Sequence, residues 1–128
     1  MDPGIRARWT AALRSGDIRQ AREVLNDGEG RCCCLGVLCD LAVADGVIEP
    51  AVYDEVEQSW VYLDGEARIL PLAVACWAGI AGQKAVDLAN PVVMADGEPA
   101  PLASLNDHGS TFAEIADLID GKQPEVSA

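Results

Sequence analysis

The chain has 128 residues, half of them hydrophobic, and a formal net charge of −12 at pH 7. That length suits a single domain with its own packed core, and the composition argues against a mainly disordered chain. The negative field argues against direct DNA or RNA binding, which depends on Lys and Arg neutralising phosphates.

The charge is uneven. Residues 1–31 hold six of the nine basic side chains against five acids, whereas residues 32–128 hold three basic and sixteen acidic ones and so carry −13. No apolar run reaches the ~18 residues of a membrane helix. The start MDPGIRARWT lacks a leader pattern, so neither export nor a membrane span is expected.

In chain order, Ile5, Trp9, Ala12 and Leu13 share one face of a first helix, punctuated by Ser15-Gly16. Asp17–Leu25 is a short helical or extended stretch. The turn cluster Asn26-Asp27-Gly28-Glu29-Gly30 predicts a link between strands around Arg22–Leu25 and Arg31–Cys33. Leu35, Leu38, Leu41 and Ala42 form the stripe of a helix over Cys34–Ala44, with Gly46 where a C-terminal stop belongs. Pro50 opens a brief helix through Glu57. Ser59–Leu63, Asp64-Gly65 and Ala67–Leu70 carry a hairpin signal.

Pro71 suits the first position of a helix over Leu72–Ile80. Val92-Val93-Met94 reads as an edge strand, with Pro99 and Pro101 ending its pairing, and Leu102–Leu105 as one helical turn. Thr111 and Glu114 form a capping box for a last helix that buries Phe112, Ile115, Ala116 and Ile119 and stops at Gly121. The expectation is an α+β fold of four or five short helices around small antiparallel β-hairpins. Residues 1–121 form the domain and 122–128 a flexible tail.

Three blocks line up in order. The first is Trp9-x-x-Ala12-Leu13-x-Ser15-Gly16, followed by Gln20, and the second is Cys33-Cys34-Leu35-Gly36-Val37-Leu38-Cys39-Asp40-Leu41. The third is Leu70-Pro71 with Trp77-Ala78-Gly79, leading into Leu105-Asn106-Asp107-x-Gly109-x-x-Phe112-x-x-Ile115-Ala116-Asp117-x-Ile119. Together they resemble a family of small, uncharacterised proteins encoded by bacteriophages and prophages. The resemblance spans roughly Trp9 to Ile119. It implies a phage origin and a place in the host bacterial cytoplasm, but no reaction and no binding residues to carry over. Cys32 and His108 fall outside the motif, so chemistry built on His108 would not be a family mechanism.

The five cysteines are Cys32, Cys33, Cys34, Cys39 and Cys76. An odd count with three in a row is a poor disulfide framework, and free thiols in a reducing compartment are expected. Cys34 and Cys39, five apart, point about 140° from each other on a helix, so no metal site is expected, nor any cofactor. Gly28-x-Gly30 lacks the context of a dinucleotide or phosphate loop.

Asp54, Glu55 and Glu57 cluster before Trp60, a candidate exposed aromatic contact. Asn106-Asp107-His108 reads as a rigid turn or as a polar ligand site at the following helix N-terminus, where Asp107 would oppose an anion.

No catalytic set stands out. The leading expectation is a non-enzymatic phage accessory protein that binds a host or defence protein, such as a nucleic-acid-binding one, through its acidic surface. One alternative is a small-ligand binder sequestering a nucleotide signal, with Arg19, Arg22, Arg31 and Arg68 turned inward. Another is a thiol-dependent hydrolase using Cys33 or Cys34 with His108.

Overall fold

Helix α1 covers Pro3–Ser15. Asp2 caps it, Oδ1 accepting from Ile5 N at 2.9 Å, and Gly16 ends it in the left-handed conformation (φ 78). The fold is described by a computed structural model over residues 2–62, 69–80, 92–95 and 98–120. It is α+β, with α1 followed by β1 (Arg19–Gln20), β2 (Arg31–Cys32), α2 (Cys34–Ala44), β3 (Val52–Asp54), β4 (Ser59–Val61) and α3 (Leu72–Ala78). β5 (Val92–Ala95), β6 (Glu98–Pro101), α4 (Leu102–Asp107) and α5 (Phe112–Ile119) complete the order. The described strands pair two by two: β1 with β2, β3 with β4, and β5 with β6.

The core gathers around α2. Seven of its residues are buried, spread over nearly the whole circumference, and a helix apolar on every side belongs at a domain's centre. It ends in a Schellman motif, with Gly46 N bonded to Val43 O and Val47 N to Ala42 O. α1 packs against both α2 and α5. Trp9, 0% exposed, donates its indole N–H to Cys34 O at 2.9 Å. Arg14 reaches Asp117 and Asp120 at the end of α5, at 2.7 and 2.8 Å. The expected α5 capping box is present, and the expected stripe Phe112, Ile115, Ala116 and Ile119 is buried.

Gly36 marks the tightest approach in the core. A Cβ there would lie 1.8 Å from Leu25 O, so glycine alone lets α2 press against that backbone.

Four expectations about strands and turns need correction. The loop 26–30 does not join two antiparallel strands. β1 runs parallel to β2 (Arg19↔Arg31, Gln20↔Cys32), and only Asn26 makes an antiparallel bridge to Cys32. Glu23 is the reason: its φ of 68 breaks any extended run over 22–25, and Asp107 Oδ1 holds its N–H at 2.8 Å.

Residues 50–57 are not a helix. Val52–Asp54 pairs antiparallel with Ser59–Val61, because β-branched and aromatic side chains favour the pleated pair. Asp54 organises the connecting turn, accepting from Val56 N and Glu57 N at 2.8 and 3.1 Å. The expected hairpin from Ser59–Leu63 through Asp64-Gly65 to Ala67–Leu70 falls largely on Leu63–Arg68, which lies outside the described residues.

Pro99 and Pro101 do not end pairing but sit in β6, opposite Met94 and Val92. In a two-stranded ribbon, prolines two apart are tolerated where the missing N–H would face away from the partner. Finally, Leu102–Leu105 extends further than one turn, into α4. Residues 81–91, Asp96-Gly97, Gly121 and the tail 122–128 lie outside the described residues.

Candidate functional site

Asp40 is the one charged side chain in α2, and it is half-buried. Its Oδ1 accepts from the Tyr62 hydroxyl at 2.6 Å and its Oδ2 from the Cys32 thiol at 3.6 Å. The Tyr62 hydroxyl accepts from Asn26 Nδ2 at 3.3 Å. Burial, then the bond to Asp40, push the Tyr62 phenol well above its ordinary value. Burial, then the Asp40 charge, push Cys32 up to about 12. Both groups keep their protons at neutral pH and serve Asp40 as neutral donors.

Asp40, Asn26 and Cys32 line a cleft of about 380 Å³ whose apolar walls are Ile18, Val43, Pro50 and Ala51. Trp60, Gly28 and Gly30 complete the lining. The indole lies directly on Gly28, where a Cβ would come within 1.8 Å of Nε1. Gly28 also has φ +78, which side chains other than glycine's rarely adopt. Tyr53 braces the indole edge-on, with ring centroids 6.0 Å apart.

Of the residues singled out from sequence, Asp54, Glu55, Glu57 and Trp60 share the β3–β4 hairpin. Trp60 faces the cleft, while Glu55 and Glu57 are exposed on the turn. Between them Val56 is 91% exposed, with Val52 and Tyr53 also exposed on β3.

Asn106, Asp107 and His108 lie at the end of α4. Asn106 is fully buried. Its Oδ1 accepts from Gln20 Nε2 and Cys34 N at 2.9 and 3.1 Å. Its Nδ2 donates to Ala21 O and Asp107 Oδ1 at 2.8 and 3.2 Å. His108 is exposed, its Nδ1 donating to Ser104 O at 2.7 Å. At the α5 N-terminus the Glu114 carboxylate bonds Thr111 N at 2.9 Å, placing a negative charge where an anion would have to bind.

Cys33 sits at the N-cap of α2. Burial nevertheless outweighs the nearby backbone N–H groups and pushes it up to about 11. Cys34, pushed well above the ordinary thiol value by burial, donates to Leu102 O at 3.6 Å. This is the reverse of the activation a thiol nucleophile needs. The five cysteines are free, and all but Cys76 are buried. Arg19, Arg22 and Arg31 are exposed, and Arg31 is engaged with Asp27 and Glu29; Arg68 lies outside the described residues. Among the described residues no group of three or more His, Cys, Asp or Glu is placed to hold a metal ion, and no helix is long and apolar enough to cross a membrane.

Sequence reasoning missed Asp40, Tyr62 and Asn26. One signal was available: a lone carboxylate in the otherwise apolar run CCCLGVLCDLAVA is costly to bury without a purpose.

No curated protein and no solved structure matches the chain. A family model described as a domain of unknown function, DUF8296, matches residues 1–123, and the chain belongs to that family.

Proposed function

We propose that the protein is a non-enzymatic phage accessory protein that binds a basic host or defence protein in the bacterial cytoplasm. The contact surface is the tip of the β3–β4 hairpin. The observation that carries this reading is Val56, 91% exposed between the exposed carboxylates of Glu55 and Glu57. An apolar knob ringed by one sign of charge suits a partner with a hydrophobic pocket and a basic rim. Residues 32–62 contain no Lys or Arg, so the stretch of chain that carries the knob bears negative charge only. The phage-like sequence blocks supply the setting, and nucleic-acid-binding proteins are natural candidates because their surfaces are already basic.

The test is affinity capture from the lysate of a phage-susceptible host. Wild-type protein is compared with a Glu55→Lys, Glu57→Lys double variant and with Val56→Asp. A specific partner is expected with the wild type, with retention falling by at least about tenfold in the variants and at high salt. Equal retention by the variants, or no partner at all, would refute the reading.

A further inference from the structure

We propose that the cleft beside Trp60 receives one guanidinium or ammonium group, an Arg or Lys side chain of the basic partner, with Asp40 as its counter-charge. The inference rests on the binding reading above and names what the partner inserts.

Asp40 lines the cleft, and its carboxylate oxygens meet only neutral donors, the Tyr62 hydroxyl and the Cys32 thiol. No described cation pairs with it; Arg8, Arg14 and Arg31 are committed to other acids. A carboxylate held by neutral donors has no counter-ion of its own, and its partial burial reduces the screening of its attraction for a cation. Trp60 supplies an indole at the same cleft, and indole is the best aromatic partner for a cation. Ile18, Val43 and Ala51 line the wall, where the methylene stem of a long basic side chain would be covered. The volume, about 380 Å³, lies within the range of ligand clefts, roughly 300–1,000 Å³. An anionic ligand would meet Asp40 with nothing described in the lining to offset the repulsion.

The test is NMR titration of the Trp60 indole N–H, assigned by Trp60→Phe. The probes are Nα-acetyl-arginine methylamide and its neutral isostere, the citrulline analogue. A saturable shift is expected with the arginine probe, weaker by at least about tenfold with citrulline and in Asp40→Asn. No saturable shift up to about 50 mM, or equal binding of citrulline, would overturn the proposal. So would undiminished binding by a folded Asp40→Asn variant. If that variant does not fold, the arginine–citrulline comparison on the wild type still decides.

A second arm compares an arginine-containing hexapeptide with agmatine. Tighter binding of the peptide supports a protein side chain as the occupant; agmatine binding at least as tightly would overturn that source. None of these probes requires the partner. Their failure leaves capture through the hairpin standing, and loss of capture leaves the cleft result standing.

Discussion

Asn106→Ala is expected to come close to unfolding the domain. The Asn106 amide joins the Gln20 side chain and the Ala21 backbone, the start of α2 and the end of α4. Truncation orphans two buried backbone groups, Cys34 N–H and Ala21 C=O, each at a cost of about 1–3 kcal/mol. Gln20 is spared, because its Nε2 also donates to Ser110 O at 2.7 Å. With the void left behind, the total is about 4 kcal/mol, a large share of the 5–15 kcal/mol that hold a domain folded. Urea unfolding followed by circular dichroism measures it, and a fall in Tm of about 15 °C corresponds to it. Gln20→Ala serves as the control, with a loss of about 1 kcal/mol. A loss for Asn106→Ala no larger than the control's would refute the hub.

Gly36→Ala separates helix propensity from packing. Propensity alone predicts a gain of up to about 1 kcal/mol, whereas contact with Leu25 O predicts a net loss of about 2 kcal/mol, read by the same urea assay; a gain would refute the close approach. A thiol reagent applied to native protein is expected to label Cys76 rapidly and the four buried cysteines only at the rate of unfolding; fast labelling of Cys33 would contradict its raised pKa. Stability is also expected to fall at alkaline pH. The folded chain holds Cys33 and Cys32 protonated up to about 11 and about 12, against an ordinary 9.0. Their contribution is complete below pH 9.0 and is lost as pH rises through the folded values, because the unfolded chain releases those protons first. A flat urea midpoint between pH 8.5 and pH 11, set as assay conditions, would contradict this.

Elements governed by neighbours a few residues away were legible in the sequence. The α5 capping box, the Gly46 stop and the stripe of α1 are all local signals. The short strands were not. β1 is two residues long, and its parallel pairing depends on Glu23 being turned by Asp107, 84 positions further on. The candidate site divides in the same way. The acidic residues Asp54, Glu55 and Glu57 lie close together in the chain before Trp60 and were visible, while Asn26, Asp40 and Tyr62 converge from three segments with no shared pattern. Asn106 is the sharpest case. A turn residue is expected to bond its own backbone nearby, yet its Oδ1 binds donors 72 and 86 positions away. Nothing in Asn-Asp-His-Gly announces that.

The proposed contact between the β3–β4 tip and a basic protein can be trapped in place with a photo-crosslinking amino acid at position 56 in phage-infected cells. One dominant adduct with a basic host or defence protein is expected, lost when Glu55 and Glu57 are both changed to Lys. The absence of any adduct, or one that survives that charge reversal, would contradict it.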